Sequence, residues 1–284
     1  MKACINDLQV LICRSYQGLL LLMTAIGITG CVHQTRLYTT MQPDGWNAQP
    51  LSIACRFAPD AELDPATGTP VGDEGYYLYI LTDIDGHRDY SNTLSVALSF
   101  KKNPGAHSWM ILESPQNRLE YGHNGNFGQA KQQYQEGVYR WFRDNHPNPI
   151  SYLWEVMYDG RLEIGRPDRI PTFVWRMPIT KRRHQIIYEY VIQRKYDRFS
   201  LRDNNCVDMV TDAAALAGIN LIHRLRLTIP QETKILGRKL RPWTDPKYRI
   251  LEFSTPDVLQ MDLRQLVQFG IGSDATEWYL GLRR

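Results

Sequence analysis

The sequence predicts an α+β chain in which an antiparallel sheet packs on a helix bearing a cysteine. Three observations carry this expectation. Residues 76–82, 107–112 and 118–123 are short runs rich in aromatic and branched side chains, bounded by turn-forming Pro, Gly and Asn, as hairpin-joined strands are. Residues 180–199 carry Ile186, Ile187, Tyr190 and Val191 at the spacing of an amphipathic helix. Asp203-Asn204-Asn205-Cys206 then opens a second helical pattern. Asp203 or Asn204 is placed to cap it, Val207, Val210, Ala214 and Ala217 form its apolar stripe, and Gly218 stops it.

The chain begins with an export pattern. Lys2 and Arg14 lie upstream of an apolar or small-residue run over 18–30 that ends at Cys31. At about 13 residues, the run is shorter than the roughly 20 needed to cross a bilayer and has the length of a signal-peptide core. Ile28-Thr29-Gly30-Cys31 resembles the bacterial lipobox, which implies cleavage before Cys31 and acylation of its thiol. The alternative is an ordinary signal peptide or an anchor with a chance cysteine. Val32 is not the aspartate that holds such lipoproteins at the inner membrane, so the expected location is the cell envelope, on the periplasmic face of the outer membrane. Residues 1–30 are thus read as signal peptide. Residues 31–75 are read as a lipid-anchored tether and N-terminal extension, with a short strand over 51–57 and loop over 58–75, and residues 76–284 as the functional domain.

Loss of residues 1–30 removes Cys4 and Cys13. With Cys31 acylated, Cys55 and Cys206 remain, and in an oxidising compartment a Cys55–Cys206 disulfide competes with a free, reactive Cys206.

Further along, residues 93–100 alternate as a half-buried strand and 103–106 form a turn. A Gly- and Gln-containing insertion follows over 125–137, with a helix expected over 138–145 and strands over 150–157 and 173–177. Past Gly218 the composition reads as Arg/Lys-rich turns, until Thr255-Pro256 supplies an N-cap and a first-turn proline for another helix. With a net charge of +3 and 22% charged residues, the chain is an ordinary globular protein. The basic runs at 181–183 and 238–241 are short and lack interleaved aromatics, so they read as solvated faces and no nucleic-acid partner is expected.

The chemistry-bearing residues are few. A cysteine in the first turn of a helix faces free N–H groups and the positive end of the dipole, which favours its thiolate; the competing reading is a small buried hydrophobe. His107 opens a strand directly after a turn, where a rigid backbone can hold an imidazole in open space. Glu120 and His123 lie on the hairpin partner strand, and strand alternation sends them to opposite faces, so at most one faces His107. A cysteine, a histidine base and a third residue that fixes the imidazole are the parts of cysteine acyl-transfer chemistry. The remaining histidines show no metal-ligand spacing, and no cofactor is implied.

Gly105-Ala106-His107-Ser108-Trp109-Met110-Ile111, with Glu120-Tyr121-Gly122 and then Asn204-Asn205-Cys206-Val207-Asp208, resembles the circularly permuted papain-like hydrolases of NlpC type, including the YaeF/YiiX-like lipoproteins and the lecithin retinol acyltransferase relatives. In that group the histidine strand precedes the cysteine helix, as it does here, and Thr255-Pro256-Asp257-Val258-Leu259 is similar to a helix start of the YaeF-like branch. The resemblance covers about residues 76–260. It implies a papain-like catalytic domain with Cys206 as nucleophile, His107 as general base, and Glu120 or His123 as the orienting residue. The expected activity is a cell-envelope cysteine amidase or peptidase, with peptidoglycan or another peptide-like envelope substrate as its partner and the membrane engaged through Cys31. Lipid acyl transfer or thioester hydrolysis is a second expectation, and a non-catalytic envelope lipoprotein a third.

Overall fold

The computed structural model describes residues 33–36, 47–84, 106–125, 156–165, 168–228, 232–235, 238–240 and 246–282. The signal run 1–30, Cys31, the strand expected over 93–100, the helix expected over 138–145 and nearly all of the insertion at 125–137 lie outside them. In chain order the strands are β1 (His33–Arg36), β2 (Asn47–Phe57), β3 (Tyr77–Asp83), β4 (His107–Glu113), β5 (Arg118–Asn124), β6 (Arg161–Ile164), β7 (Phe173–Pro178), β8 (Ile219–Thr228), β9 (Thr233–Ile235), β10 (Arg238–Leu240), β11 (Ile250–Ser254) and β12 (Ser273–Asp274). The helices are α1 (Lys181–Gln193), α2 (Cys206–Leu216), α3 (Pro256–Gln268) and α4 (Thr276–Gly281).

The architecture is mixed α+β. An antiparallel sheet of order β12-β7-β3-β4-β5-β6 carries the candidate residues. Alternation along its strands divides the core in two. Leu78 and Ile80 of β3 and Met110 and Leu112 of β4 point to one face, where Cys206, Val207, Met209, Val210, Ala213 and Ala214 of α2 pack on them with Ile187 and Val191 of α1. The small Ala213 and Ala214 let α2 lie close on the sheet. Tyr79, Leu81, Trp109 and Ile111 point to the other face and are covered by Ala275 and Tyr279.

The strands expected over 76–82, 107–112, 118–123 and 173–177 correspond to β3, β4, β5 and β7. The helix expected over 180–199 is shorter: it starts from Thr180, whose side chain accepts the Arg183 N–H, and ends at Gln193, with Arg194 already in extended backbone. Arg194 turns back to donate to Asn204 Oδ1 (2.6 Å) and Asp212 Oδ2 (2.7 Å), which pins the loop leading to α2.

Residues 33–57, read from composition as tether plus one short strand, supply two strands. β1 pairs with β2, and β2 with β8, in a second antiparallel sheet of order β1-β2-β8-β11. The following segment straps the far end of α2. Ala58 N–H donates to the Gly218 carbonyl (2.8 Å), and the buried Arg183 donates to the carbonyls of Leu216 (2.7 Å) and Asp60. Gly218 takes φ +99°, and a Cβ there would lie 3.2 Å from Ala61 Cβ, so both the helix stop and the strap require glycine.

Candidate active site

Cys206 is the first residue of α2, and its cap is Asn205 rather than Asp203 or Asn204. Asn205 Oδ1 accepts the N–H groups of Val207 (2.8 Å) and Asp208 (3.2 Å), and Asp208 Oδ2 accepts the Asn205 N–H (3.1 Å). This reciprocal capping box fixes the first turn. Asn205 Nδ2 also donates to the Leu201 carbonyl (2.8 Å), and the Ser254 hydroxyl donates to Asp208 Oδ1 (2.7 Å). The cap thus occupies the second and third amides of the helix and leaves the first, that of Cys206 itself, outside the box.

Cys206 is a free thiol in this structure and 8% exposed. Its sulfur faces Ser108, whose N–H and hydroxyl draw the thiol pKa down; Arg169 pulls the same way and Asp208 opposes them. Burial is the largest influence, and the thiol is pushed up from its ordinary value. This reverses the expectation from the helix dipole. A dipole contributes at most about 1 kcal/mol at an ordinary site, whereas full burial moves a titration by as much as 3–5 units. At rest Cys206 is protonated.

His107 leaves β4 on the opposite face from Cys206. Its ring is parallel to that of Trp109 (centroids 5.8 Å apart, 15°), while Ser108, the next residue, meets the sulfur. The imidazole is 4% exposed, and burial, with Arg169 and His123 adding to it, lowers its pKa to about 3. It is therefore neutral at physiological pH. His107 Nε2 is sealed from solvent without a hydrogen-bond partner, and Glu163 Oε2 lies 3.9 Å away. The thiol and imidazole share a neighbourhood at the N-terminal end of β4, with Arg169 acting on both, but no hydrogen bond joins them.

Glu120 sits on the His107 face but is engaged elsewhere. Its Oε2 accepts from Trp109 Nε1 (3.2 Å) and Tyr279 OH (3.0 Å), so it holds the indole beside His107 rather than the imidazole itself. His123 sits on the Cys206 face. Its Nε2 pairs with the Tyr196 carbonyl (3.2 Å), and its ring makes edge contacts with Tyr196 (5.2 Å) and Phe199 (5.1 Å). Its Nδ1 is sealed without a hydrogen-bond partner, with the backbone of Asn205, the residue before the thiol, close enough to act on its pKa. Burial foremost, then Arg194, lowers its pKa to about 4 against the pull of these backbone groups. His123 therefore clamps the loop before α2 onto the sheet. The structure joins neither of the two expected orienting residues to His107 by a hydrogen bond.

Two charged residues near His107 come from the stretch 160–171, which lies between the strands expected over 150–157 and 173–177. Glu163 is on β6 opposite Gly122, and Arg169 pairs with Asp83 (3.5 Å), the β3 residue opposite His107. The available signal was the period-two pattern Arg161-Leu162-Glu163-Ile164 before Gly165, which is a short edge strand. A cavity of about 410 Å³ lined by Asp60, Arg183, Ile186, Tyr190, Asp212, Ala215 and Leu216 lies at the other end of α2. Ten residues of helix, about 15 Å, separate Leu216 from Cys206. Comparison with protein-family models, curated proteins and solved structures finds no match for this chain.

Proposed function

We propose that the chain is a cell-envelope cysteine hydrolase of the amidase or peptidase type, with residues 76–284 forming a circularly permuted papain-like domain of NlpC type. The observation that supports this most is the setting of Cys206. It is held at the first position of a doubly capped helix, with its own N–H outside the cap and its sulfur against the residue that follows His107.

In the proposed reaction the sulfur attacks the acyl carbon while a water at the N-terminal end of β4 relays the thiol proton to His107, which rests on the other face of the strand. Nε2 is sealed and turned to Glu163, so Nδ1 is the nitrogen for this transfer. The oxyanion formed from the carbonyl is met by the Cys206 N–H and the Ser108 hydroxyl. The C–N bond then breaks, the imidazolium protonates the departing amine, and water, losing a proton to His107, hydrolyses the thioester and returns the thiol. A protonated thiol beside a neutral imidazole makes this general-base catalysis rather than a standing thiolate–imidazolium pair. Peptidoglycan peptides are the proposed substrate because the lipobox-like Ile28-Thr29-Gly30-Cys31 would tether the enzyme, through Cys31, within their reach.

The test is release of new amino groups and shortened peptides from purified muropeptides by the reduced protein. Wild type cleaves them, while Cys206→Ser and His107→Ala lower kcat by at least about 100-fold, the scale of losing a general base. Turnover unchanged in Cys206→Ser would overturn the mechanism. The burial of Cys206 and its raised pKa favour one other reading, an envelope module whose thiol is inert. Absence of turnover together with Cys206 labelling that is indifferent to His107 would establish that reading instead.

A further inference from the structure

We infer that Glu163 is the positioning residue for His107, taking the role that sequence spacing offered to Glu120 or His123. The inference rests on the Cys206–His107 reading and deepens it. Its first support is the sealed Nε2 of His107, which has no hydrogen-bond partner and faces Glu163 Oε2 at 3.9 Å. The second is Gly122, the residue opposite Glu163 on β5. A Cβ on Gly122 would lie 3.3 Å from His107 Nε2 and 3.3 Å from Glu163 Oε2. Glycine thus opens the gap through which the imidazole and the carboxylate face each other. Asn124 Nδ2 donates to the same Oε2 and fixes its place.

The separation suits a group required only during the reaction. At 3.9 Å the carboxylate is outside hydrogen-bond length for the resting, neutral ring but inside ion-pair distance for the imidazolium that forms when His107 takes the thiol proton. The other charged or titratable groups about His107 are Asp83 opposite it on β3, Arg169, Glu120 on the same sheet face and, on the far face, His123. Arg169 and His123 oppose the imidazolium; Asp83 pairs with Arg169, and Glu120 accepts from Trp109 and Tyr279, so Glu163 is the carboxylate that faces Nε2 and offsets them. No net proton is gained or lost: water relays it from Cys206 Sγ round the end of β4 to His107 Nδ1, and the Nε2–H then closes on Glu163.

The experiment is the iodoacetamide labelling rate of Cys206 in the full, reduced chain between pH 5 and 10.5, resolved at that residue by peptide mass spectrometry. General-base assistance gives a pH-independent plateau near neutrality, followed by a rise as the free thiolate forms. Glu163→Gln is expected to lower the plateau about tenfold, one unit of imidazole basicity, and to leave the rate at pH 10.5 and the melting temperature unchanged. Glu163→Asp is expected to recover most of the loss, and His107→Ala to abolish the plateau. A plateau lost in His107→Ala but intact in Glu163→Gln overturns the role of Glu163 and leaves the base standing. A plateau unaffected by His107→Ala overturns both. Equal loss at neutral and alkaline pH in Glu163→Gln shows altered access to the thiol and also overturns the inference.

Discussion

The two faces of the sheet around β4 hold their reactive groups by different means. On the α2 side Cys206 belongs to the apolar cluster that also holds Met110, Val207, Val210 and Tyr121, and burial is the largest influence on its state. On the other side His107 is set among Trp109, Asp83, Glu163 and Arg169, where fixed charges join burial in deciding its state. A one-residue step from His107 to Ser108 crosses from one regime to the other. Both regimes yield neutral resting groups, so whatever drives proton transfer must act on the charged products rather than on the reactants.

The largest break in this contrast comes from the apolar side. Met110→Ala, at a fully buried position against α2, is expected to cost about 2–5 kcal/mol in urea unfolding. Asn205→Ala is expected to cost about 1–2 kcal/mol through loss of the cap. It should also reduce muropeptide hydrolysis, because the first turn that presents the Cys206 N–H loosens.

The buried histidines sharpen the comparison through pH. Unfolded, each imidazole takes up a proton below about 6.5; folded, His123 does so only near 4 and His107 near 3. Across that window the unfolded chain binds more protons, so the stability is whole above about pH 6.5 and is lost as pH falls toward 3. His123→Gln should flatten the fall in urea midpoint between pH 6.5 and 4, and an unchanged slope would show that His123 is not held neutral. The smallest effect is the most local: Glu163→Gln, at a part-exposed edge-strand position, is expected to change stability by less than about 0.5 kcal/mol. A larger loss would make Glu163 a structural residue.

Strong local periodicity made the core strands, the Cys206 helix and its Gly218 stop legible. Three features were hidden for physical reasons. β8 alternates Leu225 and Leu227 inward with Arg224 and Arg226, and the arginines made a paired strand look like a basic turn. β1 and the part of β2 before the expected strand over 51–57 lie in polar, proline-containing sequence that becomes ordered structure through long-range pairing, β1 with β2 and β2 with β8, a tertiary effect no local window reports. For the candidate site, the sequence identified Cys206 and His107 and ruled that Glu120 and His123 could not both face the imidazole. It did not reveal that Glu120 is held by Trp109 and Tyr279, that His123 serves the Tyr196–Asn205 loop, or that a four-residue edge strand brings Glu163 alongside. Of the two readings open for the thiol, a dipole-favoured thiolate and a small buried hydrophobe, the structure favours burial, whose weight over the dipole no local pattern sets.

The measurement that tests the central claim most directly is the ratio of Cys206 labelling rates by iodoacetamide at pH 7 and pH 10.5, in wild type and in His107→Ala. A base acting on a protonated, buried thiol predicts a ratio at least about tenfold higher in wild type, since each unit of effective basicity is a factor of ten. Equal ratios in the two proteins would contradict it and leave Cys206 as a buried, inert thiol.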